Sequence, residues 1–556
     1  MSGFRPGTWI GAEAVAARLG GARRAVTAVG MLLVAVGCYS PWAAFTGYPG
    51  GMTLAYPGGV RLYCLLLAPF GLLAFVPVRG RRAAGELAAF GVLSVTLYNV
   101  IAIFREGGGL VNVSFGAWLT LIGAFLLLAG LLALPADDGA PALPDGPPWL
   151  GLLAIVVVLG LVLVLVVEGL KIEASSQFLG FLAAIAFAVL ALARLGIGPW
   201  FQRAAERHRT VTLTAGLLSA AIFPLTQNGS DYWLRVGATI GVFAAAAIGL
   251  NVVVGLAGLL DLGYIAFFGV GAYVGASYSG AVESNAHVHL PFLVVVLLGA
   301  LLAATFGLLI GAPTLRLRGD YLAIVTLAFG EIFRITANNL DGIAGPKMTN
   351  GPNGIPGIPN LKVGSYDFGK SHTILGIKVG YFGNYFWAEL LLLVVVVTIF
   401  VRLNQSRIGR AWVAIREDEL AAAAMGVNTV RLKLLAFAIG AFLAGAAGTL
   451  NAHVTTQVSP ESYNFDQSIL LLAAVVLGGM GTIGGALLGA TMIQVLPEKF
   501  RFFQEKRIII FGFALIVMMR IRPEGIVPNR RRQREFHDDA GGADATSAPP
   551  GSPVAS

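Results

Sequence analysis

The sequence predicts an all-α integral membrane protein, a polytopic bundle of about sixteen helices. Three observations carry that prediction. Of 556 residues, 56% are hydrophobic and only 12% charged, where a soluble domain carries about 25% charged residues. The apolar residues fall in repeated runs long enough to cross about 30 Å of hydrocarbon, roughly 20 residues per helix. The basic residues gather in alternate connections between those runs, as they do in cytoplasmic loops.

The first run, near 25–45, is too long for a signal-peptide core and reads as a retained membrane helix. Others follow near 60–78, 85–104, 114–134, 149–167, 177–193, 211–226, 234–255, 262–280, 291–313, 320–338, 383–401 and 433–453. The stretch 467–496 is too long for one simple crossing, and GGMGTIGG interrupts it at 478–485, so it divides into two helices. A short last helix lies near 508–519.

With both termini inside, the inside segments hold 25 of the 38 Lys and Arg, leaving 13 outside. Arg79, Arg81 and Arg82, the group Arg203, Arg207 and Arg209, and Arg530 to Arg532 are all inside. The exception is PEKFRFFQEKR, 497–507, whose basic residues fall outside; making 467–496 a single crossing would bring it in but strand the Arg-rich tail. The net charge of +9 is thus a matter of topology, with membrane lipid and not nucleic acid as the partner. Residues 1–210 carry six spans and end in the polar linker GPWFQRAAERHRT; 211–530 carry ten. The tail 531–556 is too rich in Asp, Gly, Ala, Ser and Pro to fold alone and is expected to be disordered.

Two motifs mimic nucleotide sites. GSYDFGKS, 364–371, satisfies the phosphate-loop pattern, but turn-rich flanks supply neither the strand before it nor the helix after it that would aim backbone N–H groups at phosphate. GMGTIG, 479–484, satisfies the dinucleotide pattern inside an apolar stretch with no sheet to join; glycines there let helices approach or a membrane hairpin turn. His287 and His289 in HVH lack carboxylate or thiol partners, and Cys38 and Cys64 sit singly in apolar runs, so no metal, cofactor-binding or catalytic residue is assigned.

The segment SRIGRAWVAIREDELAAAAMGVNTVR, 406–431, is different. It is polar and helix-prone on the cytoplasmic side. Glu417, Asp418 and Glu419 are expected in a helix first turn, where the dipole favours negative charge, with Gly426 ending the helix. The plain reading is a capped connector; a short rigid helix there is also suited to receive force from a soluble partner.

At this point a resemblance enters. Residues 406–431 resemble the coupling segment of ABC-transporter permeases of the branched-chain amino-acid family, LivM type. The likeness runs in order through GLNVVVGLAGLLDLGYIAFFGVGAY (249–273), RLRGDYLAIVTLAFGEIFRI (316–335), TNGPNGIPGIP (349–359), VSPESYNFDQS (458–468), VVLGGMG (475–481) and RPEGIVP (522–528). It implies an importer permease core paired with a second, LivH-like permease, two ATPases that bind ATP and Mg, and an extracytoplasmic binding protein. The residues it assigns to ATPase coupling are Arg407, Gly409, Arg410, Ala411, Ile415, Arg416, Glu417, Asp418, Glu419, Ala421, Ala422, Met425 and Gly426. Asp261 stands where the family pattern is apolar, and 1–210 exceeds a minimal permease.

Polar groups inside spans are costly unless they face protein or water. Asn251, Asp261, Tyr264, Tyr321, Thr326 and Glu331 are therefore candidate pathway residues, or else interhelical ties, with Glu331 placed to pair with Arg334. The expected function is import of branched-chain or related small amino acids, with no enzymatic activity in this chain. The alternatives are a permease for urea or short amides, or a secondary transporter or channel acting alone.

Overall fold

Apolar runs become helices wherever Gly, Pro or charge bounds them, and the structure, a computed structural model, places a helix at each of the sixteen expected positions. It describes residues 20–43, 60–107, 109–135, 143–144, 146–172, 175–227, 231–281, 284, 288–314, 320–343, 345–374, 376–500, 506–522 and 524–527. The tail 531–556 and His287 lie outside the described residues. Ten described helices are long and apolar enough to cross a membrane, and three shorter apolar ones accompany them.

The chain divides into two compact units, Met1–Phe223 and Pro224–Ser556. The first contains α1 (Arg23–Tyr39), α2 (Val60–Leu67), α3 (Arg81–Gly107), α4 (Phe115–Leu132), α5 (Pro148–Lys171), α6 (Ser175–Arg194) and α7 (Ile197–Arg207). The boundary falls within α8 (Arg209–Thr226), at the residue before its internal Pro224. In this unit α1 and α4 pack antiparallel through glycine: Gly30 lies against Gly123, and Gly37 against Gly116. A Cβ at any of these positions would meet a backbone carbonyl, so the pair approaches more closely than larger residues allow.

The second unit begins with α9 (Asp231–Asn251), extended by a π turn over Val252–Leu256. Next come α10 (Ile265–Tyr278), α11 (Phe292–Thr314) and α12 (Asp320–Asn339). A loop with β1 (Ile355–Pro356), β2 (Lys362–Val363), β3 (Tyr366–Asp367), β4 (His372–Ile374) and β5 (Ile377–Val379) leads to α13 (Tyr381–Gln405). Two short helices follow, α14 (Arg407–Glu417) and α15 (Glu419–Ala424), then α16 (Thr429–Thr455), β6 (Gln457–Val458), α17 (Phe465–Gly478), α18 (Ile483–Lys499) and α19 (Arg507–Ile521). The short ladders β1–β6, β2–β3 and β4–β5 correct the all-α expectation at one place. Outside lipid, glycine-turned chain can pair with itself. The GSYDFGKS match contains β3 and, against expectation, follows a short strand, β2; but Gly364 turns β2 back into β3, and β4 rather than a helix follows Ser371.

Helix α16 is the axis of the second unit, packed by α9, α10 and α11. Its surface is cut for close approach. A Cβ at Gly271 would collide with the Gly445 carbonyl, and one at Gly448 with that of Phe268. Thr449 Oγ1 donates across the seam to Gly271 O at 2.9 Å, and Tyr264 OH donates to Gly440 O at 2.8 Å. Lipid offers no hydrophobic drive for helices to associate, so van der Waals contact and such bonds carry the packing.

The break in 467–496 makes a hairpin. Gly478 faces Gly485 and Ala474 faces Gly489, so α17 and α18 run antiparallel, with the chain turning at Gly479 and Gly481. The far end of α18 sits beside the start of α9: Tyr232 OH donates to Glu498 Oε2 at 2.7 Å, and Lys499 stands 4.3 Å over the Trp233 ring. Residues 497–499 therefore share the end occupied by 231–233 and 361–385, opposite the end of 251–258 and 479–482.

Gly271→Val tests the seam. Overpacking costs about 1–3 kcal/mol, so the melting temperature of the purified protein should fall by several degrees. Gly512→Ala, where an added Cβ meets nothing within 4 Å, should change it little.

Candidate functional site

The segment between α13 and α16 is built from two successive helix starts. Ser406 Oγ accepts from Gly409 N at 3.1 Å and opens α14, which buries Gly409, Trp412 and Ile415 along one face. A Cβ at Gly409 would collide with Leu403 O, so glycine lets α14 fold tightly back against the end of α13. The Trp412 indole donates to Leu432 O at 2.7 Å, and Arg416 Nη1 to Gly255 O, also at 2.7 Å. The second bond ties this segment to the π turn after α9.

Asp418 then interrupts the chain at φ −151° and ψ 107°. Its Oδ1 accepts from Leu420 N at 2.8 Å and Ala421 N at 2.9 Å, an N-cap on α15. The acidic triplet does not share a first turn: Glu417 is the last residue of α14, Asp418 the cap, and only Glu419 stands in the first turn of α15. An Asp carboxylate satisfies exposed N–H groups better from the cap than from inside a helix, and this divides one expected helix into two. Gly426, at φ +85°, ends α15. Val427 N donates to Ala422 O and Gly426 N to Ala423 O, the paired bonds of a Schellman ending.

These caps fix a short helix whose outer surface is apolar. Leu420 is 71% exposed and Met425 84% exposed, with Ala421 and Ala423 beside them, while Ala422 points inward. Arg407 and Arg410 are exposed on α14, Ala411 is half-buried and Ile415 buried. Glu419 is not free: its Oε1 lies 2.6 Å from Lys433 Nζ at the start of α16. Reversing its charge would disturb the fold as well as any docking. Met425 was among the expected coupling residues, whereas Leu420 was passed over in the sequence, where it reads as part of the helix body.

The pathway candidates separate. Asp261, Tyr264 and Thr326 are buried at one corner: Thr326 Oγ1 accepts from Leu262 N at 3.0 Å, and Asp261 Oδ1 from Gly263 N at 2.9 Å. Asp261 Oδ2 finds no partner among the described residues. Asn251 holds the α17–α18 turn, accepting from Gly481 N at 2.7 Å and donating to Thr482 O at 3.0 Å. Tyr321 is 69% exposed, far from the burial expected of a tie. Glu331 pairs with Arg334, which also reaches Glu461 at 2.9 Å.

None of the six lines the cavity of about 590 Å³ between α10, α11 and α12, walled by Tyr273, Phe306, Phe329, Phe333 and Thr336, with Lys347, Met348 and Thr349 also lining it. Sequence reading also passed over Glu389, buried on α13 against Gly241 with neither carboxylate oxygen partnered among the described residues. Its signal was a lone carboxylate in WAELLLLVVVV. His289 bonds Ser279 O through Nδ1, and among the described residues no three His, Cys, Asp or Glu are grouped to hold a metal.

Removing either end of α15 should loosen it. Asp418→Ala loses two bonds and about 0.5–2 kcal/mol; Gly426→Pro is worse, because proline's φ near −65° excludes the observed turn. Hydrogen exchange over residues 419–425 should accelerate in both, and unchanged protection would contradict the capping geometry.

Comparison with known proteins places this geometry. The family described as branched-chain amino acid transport system / permease component matches residues 232–519. The chain is 42% identical over 336 residues to the high-affinity branched-chain amino acid transport system permease protein LivM of Salmonella typhimurium, covering 58% of this chain and 75% of that protein. It is 41% identical over 313 residues to LivM of Escherichia coli, covering 54% and 71%. It is also 27% identical over 298 residues to the permease protein LivH of Salmonella typhimurium, covering 52% and 93%. No solved structure matches. With its multi-pass helical core spanned by that match, the chain belongs to the branched-chain amino acid transport system permease family.

Proposed function

We propose that the chain is a membrane-spanning permease subunit of an ATP-driven importer for branched-chain or related small amino acids. In this reading it lies in the bacterial cytoplasmic membrane with sixteen crossings and both termini inside. Residues 211–530 form the permease core and 1–210 an added membrane region. A LivH-like permease completes the pathway, two ATPases bind ATP and Mg and supply the energy, and a binding protein delivers substrate from outside. The chain itself performs no chemistry; it changes the side to which a pathway opens.

One observation carries the proposal. The rigid helix α15 presents Leu420 and Met425 to solvent, and Arg416 links the adjoining α14 to Gly255 at the end of α9. An apolar knob on a capped helix suits the pocket of a soluble partner, and the bond behind it gives the resulting force a route into the bundle. Substrate class has its own support. The walls of the 590 Å³ cavity include Leu302, Phe306, Phe329 and Phe333, which match an apolar side chain, together with Tyr273, Ser277, Thr336 and Lys347, which offer polar groups to the rest of an amino acid.

Uptake of labelled leucine in proteoliposomes holding the assembled importer tests the docking role. Leu420→Asp with Met425→Asp should insert normally and lower uptake by about tenfold or more, the effect of losing an interface anchor. Normal uptake in that variant would reduce the segment to a connector. Orientation is checked separately. The native thiols Cys38 and Cys64 are buried, so labelling of engineered sites has little background. A cysteine at exposed Ser365 should react with an impermeant reagent in intact cells, and one at exposed Gln405 should not. The reverse pattern would invert the topology.

A further inference from the structure

The linker between α6 and α8 folds as a helix with two unlike faces. On α7 the exposed residues are Ile197, Pro199, Gln202, Arg203, Glu206 and Arg207, while Trp200, Phe201, Ala204 and Ala205 are half-buried. Trp200, Arg203, Ala204, Arg207 and His208 recur at intervals of three and four, forming one stripe. That stripe faces the start of α5 across a cavity of about 100 Å³, completed by Gly146, Pro147, Pro148 and Gly151. The two helices meet at Gly151, where an added Cβ would stand 3.4 Å from Ala204 and 3.5 Å from the His208 ring. Arg203 Nη2 donates to Leu143 O at 2.7 Å, which fixes its guanidinium at the cavity wall. No carboxylate lines the cavity among the described residues.

This cavity lies where a membrane span begins. Helix α5 is among the most apolar of the candidate spans, and the site caps its first turn. Helix α7 carries Arg203 and Arg207 beside Trp200, with Ile197, Phe201 and Ala204 on the adjoining apolar face, and an amphipathic helix of this kind rests at the boundary between headgroups and acyl chains. Trp200 is the residue type that settles at that level. The two guanidiniums therefore stand at headgroup depth, around a space fit for a phosphodiester but not for an acyl chain.

We propose that Arg203, Arg207 and His208, with Trp200, hold the phosphate of an anionic membrane phospholipid between α7 and the start of α5. The arginines supply charge-assisted donors to phosphate oxygens, and the imidazole adds a further donor or acceptor. The acyl chains would lie along the apolar flank of α5. The N-terminal region thereby gains a role that needs no contact with a transported substrate: it reads the charge of the surrounding lipid.

The test uses the full chain, delipidated in detergent and titrated by native mass spectrometry with phosphatidylglycerol or phosphatidylcholine of matched chains. Wild type should take its first phosphatidylglycerol at about fivefold lower concentration than phosphatidylcholine. Arg203→Gln with Arg207→Gln should abolish that preference, and Arg105→Gln on α3 should keep it. Gly151→Val fills the cavity without changing charge and should also abolish it. Equal binding of the two lipids by wild type overturns the proposal and depends on no variant. Unchanged preference in Gly151→Val overturns it too, since the attraction would then be diffuse. Displacement of the first phosphatidylglycerol by inorganic phosphate would show a free-anion site and refute the lipid assignment.

Discussion

Backbone contact along α16 is the constraint on which the second unit depends. In hydrocarbon, burying leucine against leucine gains little over leaving it in lipid, so helices associate only if they come close enough for many short contacts. Gly440, Gly445 and Gly448 allow this on α16, and Gly271 answers on α10. Tyr264 and Thr449 then bond across the seam to carbonyls that the missing side chains have uncovered. The buried hydroxyls are thereby satisfied where water is absent. The same rule operates in the first unit, where α1 and α4 meet through paired glycines.

From this seam the rest of the core takes its place. α9 also packs on α16, and beyond its π turn Gly255 accepts from Arg416. Asn251 near the same end secures the turn between α17 and α18. Two connections distant in sequence are therefore fastened to one helix end. The Arg416 bond to Gly255 fastens α14 to the end of α9, Trp412 fastens it to α16, and the Glu419–Lys433 pair fastens α15 to α16. The proposed coupling role draws on these attachments of a capped surface element to the bundle.

Several polar residues in the spans changed meaning when their surroundings became visible. Asn251 and Tyr264 have the burial expected of pathway groups, yet their hydrogen bonds go to backbone atoms of neighbouring elements. Tyr321 is exposed, and Glu331 is occupied by Arg334. Asp261 and Glu389 differ, each keeping at least one buried oxygen without a partner among the described residues. A carboxyl in that condition is costly to bury, which distinguishes these two from polar groups whose bonds are complete.

What the sequence determined by itself was periodic or compositional. Run length placed sixteen helices, the glycine break placed the α17–α18 hairpin, and turn-rich flanks indicated that no helix opens after GSYDFGKS. Ordered motifs over 249–528 pointed to the permease family. These features are legible because a membrane helix depends on the apolarity of its own residues and a turn on its own glycines. Only tertiary structure decided the rest. That Glu417 closes one helix while Asp418 starts another depends on which carboxylate reaches free N–H groups. That Leu420 and Met425 project while Ala422 is buried depends on how α15 lies against the bundle. Which polar residues are ties and which are unpartnered depends on atoms contributed from far along the chain, as Gly440 does for Tyr264. A single sequence carries no record of those distances, because each is set by the packing of helices whose contacts are made by the absence of side chains.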